Sequence, residues 1–284
     1  MIVVILIIIL LFIYNIKYTE KFNTYYRIAF KKVSIKKIHY FKNRIPKIVF
    51  QSFKTRDLPF PYRNNHKIMV KNNNNYAFYY YNDKDCEKFL KSYDKSVYIT
   101  YKILKKSDNK YIRGAGCSDL FRYCLLEKYG GIWLDMGMEL LKPLDSIFNN
   151  LISNDKNQFI SCLAANKTSI FQAIICCTKN HPYLKEIISR ICKNVLVYNL
   201  HKNTHVWRLT GPTLLANIIT KNKISVIQPG VNIVDGNKFY LFYETIQNKY
   251  TGLYNYFVKN KDTGELVICS RCVHQKNGEI ITKK

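Results

Sequence analysis

The chain carries 284 residues, 48% of them hydrophobic, with 45 Lys and Arg against 19 Asp and Glu for a formal net charge of +26. That length holds one large globular domain or two small ones, and the apolar share excludes a disordered chain. The excess charge is mostly scattered lysine, which favours polyanions, nucleotides or anionic membrane and equally fits a lysine- and asparagine-rich coding bias. With no arginine-rich stripe and no recognised motif, nucleic acid is excluded as the partner. The cysteines are mostly single and set among apolar residues, which reads as buried free thiols rather than a disulfide framework. Cys269 and Cys272 form a CxxC without the second ligand pair a tetrahedral zinc needs.

Residues 1–16 are apolar apart from Asn15. A bilayer span takes about 20 residues, with about 17 as the lower bound, and no small-residue cleavage site follows. The segment therefore reads as a short, non-cleaved membrane anchor. Its basic flank (Lys17, Lys21, Arg27, Lys31) would stay cytoplasmic by the positive-inside rule, whereas an enzyme of a Golgi- or ER-type membrane needs the opposite orientation. Residues 17–44 read as a basic stem, and 45–284 as the folded domain.

Within that domain, 45–50 is a strand with Pro46 tolerated at its start. The proline-rich 58–61 is a turn, a helix begins within 67–70, and 72–75 is an asparagine loop. The aromatic 76–81 is a strand, and Asp83 or Asp85 caps a helix over 86–93. Strand, helix, strand, helix predicts an α/β domain with a mainly parallel sheet.

Residues 114–145, GAGCSDLFRYCLLEKYGGIWLDMGMELLKPLD, are the most informative stretch. Ser118 is the expected N-cap of a helix, with Asp119 in its first turn, where the helix dipole favours an anion. Leu120, Phe121, Cys124 and Leu125 share an apolar face, and Asp119 and Arg122 share the other. Gly130 suits a left-handed C-cap, and Gly131 opens a strand. There Ile132, Leu134, Met136, Met138 and Leu140 alternate with Trp133, Asp135, Gly137 and Glu139, so a period of two places Asp135 and Glu139 on one face.

Further on, 159–163 is a strand and 171–177 an apolar run of undecided type. A helix starts at His181-Pro182. Thr210-Gly211-Pro212 is a loop with Pro212 at the first position of another helix, 225–228 is a strand, and the tail from Tyr240 is irregular.

Asp135 and Glu139 are hard oxygen ligands of the kind that hold Mg²⁺ or Mn²⁺ beside substrate phosphates. Arg122 offers a planar fork for a diphosphate, and Asp119 can accept from sugar or ribose hydroxyls. An Asp–Arg pair three apart on a helix is also a common surface salt bridge of little value.

The 114–145 stretch resembles the signature of glycosyltransferases with a DXD sugar-nucleotide motif, of the initiating mannosyltransferase and capsular polysaccharide sugar transferase type. More distantly it is similar to the glucosylating bacterial toxins. IPKIVFQSFKT at 45–55, YAFYYYNDKDCEKFL at 76–90, Asn180-His181-Pro182 and Thr210-Gly211-Pro212 resemble further landmarks of that family, in order. The resemblance implies a single GT-A, Rossmann-like domain with a mainly parallel central sheet flanked by helices. It implies a metal-dependent transfer of a hexose from a UDP- or GDP-sugar to a glycan, protein-linked or lipid-linked acceptor, with retention of configuration. Carried over, Asp119, Arg122 and Asp135 are the catalytic set. Gln51, Ser118, Gly211 and Pro212 join Asp119 and Arg122 in holding the donor, and Asp135, Glu139 and His274 are the metal ligands. The second Asp of DXD is Gly137 here, which motivates the alternative of a non-catalytic relative that binds sugar nucleotides or glycans.

Overall fold

The hydrophobic alternation Ile48, Val49, Phe50 feeds two cores, because successive strand side chains point to opposite faces. Ile48 and Phe50 join one buried cluster and Val49 joins the other. The computed structural model describes residues 44–148, 150–152, 157–197, 204–223, 227–248 and 254–270. The expected anchor at 1–16, the stem apart from Arg44, and His274 lie outside these residues. Among the described residues no helix is long and apolar enough to cross a membrane.

In chain order the elements are β1 (Ile48–Ser52), α1 (Phe60–Asn72), β2 (Ala77–Tyr81), α2 (Asp83–Tyr93), α3 (Lys95–Lys105), a π-helical turn at Ile112–Gly116, α4 (Cys117–Tyr129), β3 (Gly131–Leu134) and β4 (Glu139–Leu140). There follow α5 (Leu144–Phe148), β5 (Phe159–Leu163), β6 (Ile174–Cys177), α6 (Pro182–Val197), α7 (Val206–Leu209), α8 (Pro212–Thr220), β7 (Gly230–Val234), β8 (Asn237–Asn248), β9 (Tyr254–Lys259) and β10 (Leu266–Cys269). Several starts differ from expectation. α1 begins at Phe60 because Pro61 suits its first turn, where a missing N–H costs nothing. Asn82, not Asp83 or Asp85, caps α2, in a reciprocal capping box with Asp85. α3 is an additional helix, with Val97, Thr100, Tyr101 and Leu104 buried at helical spacing and Asp94 capping it. The strand expected over 225–228 lies partly outside the described residues, and β7 starts later, at Gly230.

The sheet runs β2-β1-β3-β6-β5-β8-β9-β10-β4, with β7 on β8. It is mixed, not mainly parallel: β1 pairs parallel with β2 and β3, and β5 with β8, whereas every other pairing is antiparallel. The added strands come largely from hairpins that begin just before the tail from Tyr240, expected to be irregular, and run into it. Asp235 (φ 47°) and Gly236 (φ 76°) form a two-residue turn joining β7 to β8, and the long β8 then pairs with β9.

Six strand-to-strand steps separate β3 from β4. Laid flat at about 4.8 Å per step they would span about 29 Å, yet the chain from Leu134 to Glu139 reaches about 18 Å at most. The sheet is therefore curled, and the turn 135–138 ties its β4 edge back to the interior strand β3. Helices α2, α3, α4, α6 and α8 cover the Phe50 face, and α1 and α5 pack on the Val49 face. Seven cysteines, including Cys117, Cys124 and Cys177, are free and buried or half-buried. Cys269 is disulfide-bonded, so it offers no thiolate to a metal.

Candidate active site

Helix α4 is buried on all sides rather than amphipathic: Asp119 is 1% exposed and Arg122 5%. The π-helical turn runs straight into it, so the first amides of α4 already have partners upstream. Its N-cap is Gly116, without a side-chain bond, and Ser118 sits inside the helix. There its Oγ accepts from Nη2 of Arg122 at 3.3 Å. The exit is fixed by two glycines. A Cβ on Gly130 (φ 66°) would lie 2.6 Å from the Lys179 nitrogen, and one on Gly131 (φ 109°) would lie 2.9 Å from the Ile48 oxygen. β3 pairs with β1 through Phe50 opposite Trp133 and ends at Leu134, so that Asp135 follows directly, beside the carboxyl end of β1. Ligands of open α/β sheets gather at such ends.

Arg122 links two carboxylates. Its Nη2 lies 3.5 Å from Oδ1 of Asp119, and its Nη1 lies 3.4 Å from Oδ1 of Asp135. Nη1 also donates to the Gln172 carbonyl at 2.7 Å, and the guanidinium stacks 5.0 Å from the centre of the Trp133 ring. Trp133 Nε1 donates to the same Asp135 oxygen at 2.7 Å. Asp135 Oδ2 has no bonded partner among the described residues, and the side chain is 41% exposed. Asp119 is closed off: Oδ1 accepts from Gln172 Nε2 at 2.6 Å and Oδ2 from Thr210 Oγ1 at 2.9 Å. Burial pushes its carboxyl up to about 7, against the pull of Arg122 and the hydroxyl and amide donors. Burial acts to lower Arg122, but Asp135 and Asp119 outweigh it and hold the guanidinium above its ordinary value.

Asp135 and Glu139 do not share a strand face. β3 stops at Leu134, the Met138 amide donates to the Asp135 carbonyl across a tight turn at 3.0 Å, and Glu139 opens β4 opposite Cys269. Its side chain lines a cavity of about 240 Å³ between α1 and β4. Gly137 is buried in the turn. Gln51 is also buried, with Oε1 2.6 Å from Nδ1 of His66 on α1. It stands on the Val49 face, away from Arg122. Gly211 permits close approach, since a Cβ there would lie 2.9 Å from the Trp207 Cα. Pro212 accepts the Ile170 amide at 3.3 Å, and the loop reaches the site through Thr210. Gln172, Trp133 and Thr210 complete the cluster. Trp133 stands two residues before Asp135, but nothing local marks Gln172.

Next to Ser118 opens a cleft of about 500 Å³ whose walls include Phe53, Lys54, Lys105, Lys110 and Arg113. Its excess of cations suits an anionic ligand. A divalent cation bound through one carboxylate, waters and substrate phosphates fits the open Oδ2 of Asp135. Among the described residues no three His, Cys, Asp or Glu side chains are grouped to enclose one.

The family described as capsular polysaccharide synthesis protein matches residues 63–267 of this chain. The chain belongs to that family. It is 23% identical over 174 residues to inositol phosphoceramide mannosyltransferase 3 of Schizosaccharomyces pombe, covering 61% of this chain and 44% of that protein. It thus spans under half the length of that curated relative. Among solved structures it is similar to the PaToxG glycosyltransferase, with a TM-score of 0.50 and 14% identity over 65% of this chain and 71% of that one, a likeness of fold. The family match embraces α4, β3, the turn 135–138 and the loop before α8, so the whole cluster lies inside it.

Proposed function

We propose that the chain is a glycosyltransferase that moves a hexose from a nucleotide-diphosphate sugar to a glycan, protein-linked or lipid-linked acceptor, with retention of configuration. The observation that carries this reading is the Asp119–Arg122–Asp135 relay at the carboxyl end of parallel strands, buried at Asp119 and Arg122, with one Asp135 oxygen open and with Ser118, which bonds Arg122, lining a basic cleft. The mannosyltransferase relative and the glycosyltransferase fold support it.

In this reading Lys54, Lys105, Lys110 and Arg113 draw the nucleotide into the cleft. Asp135, and with it His274, would hold Mn²⁺ or Mg²⁺. When bound, that ion supplies positive charge against the leaving diphosphate. Arg122 adds a second, fixed positive charge on the same side, aimed before the bond breaks. Asp119 keeps that guanidinium ionised and oriented from within the core. Segment 1–16 would tether the enzyme to an intracellular membrane where the acceptor resides.

The test is incubation of the full chain with a panel of UDP- and GDP-hexoses, with Mn²⁺, Mg²⁺ or chelator, reading donor hydrolysis and transfer. Turnover that chelator removes is the expected result. Absence of both binding and hydrolysis with every donor and metal overturns the reading. The second reading, a binding relative without turnover, is favoured by Gly137 in place of a second carboxylate. Donor binding indifferent to metal and without turnover would support it.

A further inference from the structure

All three catalytic candidates meet one short segment. The Gln172 carbonyl accepts from Nη1 of Arg122 at 2.7 Å, its side-chain Nε2 donates to Asp119 at 2.6 Å, and its Oε1 accepts from the Tyr123 hydroxyl at 2.5 Å. The next carbonyl, of Ala173, accepts the Asp135 amide at 2.9 Å. An ionised carboxylate only accepts, so the amide must turn its NH₂ toward Asp119 and its oxygen toward Tyr123. The Asp119 carboxylate thus sets the orientation of the amide, and the buried Tyr123 hydroxyl satisfies the Gln172 oxygen left on the other side.

The backbone under Gln172 is itself fixed. Phe171 donates its amide to the Cys162 carbonyl at 2.7 Å, Leu163 bridges Ile170, and β6 pairs with β3 through Ile174 opposite Leu134. The side chain thus couples α4 to the β3–β6 ladder that carries Asp135. Removing the backbone carbonyl by substitution is impossible, so a change at Gln172 cuts the Asp119 and Tyr123 bonds and leaves that to Arg122.

We propose that Gln172 is the positioning residue that holds Asp119, and through it Arg122, in register with Asp135 for the departing diphosphate. This rests on the glycosyltransferase reading above for its consequence, but not for its geometry. A misplacement of about 1 Å in such a constellation costs about a hundredfold in rate.

The test uses the full chain with Gln172→Leu, Gln172→Asn and Gln172→Glu, in two arms. The first reads donor turnover. Gln172→Leu is expected to lower kcat about a hundredfold with little change in KM. Gln172→Glu, which sets a second carboxylate against Asp119, should fall at least as far, and Gln172→Asn should recover part of the loss. The second arm needs no activity. In a Trp207→Phe background Trp133 is the only indole, and its ¹H–¹⁵N signal reports the Arg122 stack and the Asp135 bond. That signal should move in Gln172→Leu. If Gln172→Leu does not fold, Gln172→Asn carries both readouts. A kcat within twofold of the parent, or an indole signal that stays put, overturns the proposal. Should the parent itself show no donor turnover, the functional reading fails and the indole arm alone decides the role of Gln172.

Discussion

Thr210 and Asp119 are 91 positions apart in the chain and joined by a 2.9 Å hydrogen bond. The hydroxyl satisfies one oxygen of a buried carboxylate, so its loss strands a charged acceptor. Thr210→Val is expected to lower unfolding stability by about 1–3 kcal/mol, read by urea titration. Thr210→Ser should retain most of it. Equal stability for both variants would show that the hydroxyl does not hold Asp119.

The raised carboxyl of Asp119 sets a pH window. Its folded value is about 7 against an ordinary 3.8, chiefly because it is buried. Between those values the folded state keeps a proton that the unfolded chain has lost. Stability contributed by this group is therefore full below about pH 4, falls as pH rises toward 7, and is level above it. The slope is at most about 1.4 kcal/mol per pH unit. Asp119→Asn should flatten that slope in denaturation curves. Turnover should move the other way, climbing through about pH 7 as Asp119 ionises and grips Arg122. An acid limb near pH 4 would contradict this.

Arg122 lies between two carboxylates, packed on Trp133. Lysine keeps the charge but has neither the fork nor the flat face. Arg122→Lys is expected to fold and to lose about a hundredfold or more in kcat. Arg122→Met leaves Asp119 buried and unpaired, a loss of about 3–5 kcal/mol measurable by calorimetric or chemical unfolding.

Asp135 after β3 and Glu139 at the start of β4 should separate in a metal titration. Asp135→Asn is expected to abolish the Mn²⁺-dependent rise in thermal midpoint and the metal-dependent turnover. Glu139→Gln, whose side chain lines the α1–β4 cavity, should retain both. The reverse pattern would assign the cation to Glu139.

Gly131→Ala tests the hinge between helix and strand. With φ at 109° and the Ile48 carbonyl 2.9 Å from the added carbon, the backbone strain alone is about 1–3 kcal/mol. The expected outcome is a lower midpoint and a displaced Trp133 indole signal.

The parts of this site that could be read from sequence are those held by short-range rules. The Asp119–Arg122 spacing, the Gly130-Gly131 exit and Pro212 at a helix start each need only their neighbours. α3 was also legible, since Val97, Tyr101 and Leu104 carry a helical period that its β-branched and aromatic content masked. Glu139 misled because a period of two assumes one continuous strand. The chain instead turns after Asp135, for a reason lying 128 residues away, where Ile268 pairs with Leu140. The burial of Asp119 and the role of Gln172 depend on contacts across 53 positions, and no local pattern encodes those. Ser118 failed as a cap because the π-helical turn ahead of it left no open amides.

The turn 135–138 closes the curled sheet, and among the described residues β4 finds its ladder partner in β10. This gives the site an order of assembly. α4 and β3 are synthesised early, and Asp119 can meet Arg122 while the chain is still growing. The seam that tightens the Asp135 turn waits for residues 266–269, among the last strands made, and for a loop closure more than a hundred residues long. A chain shortened before β10 would keep its helices and most of its sheet, yet carry Asp135 on a slack end. Such a fragment would be folded and inert.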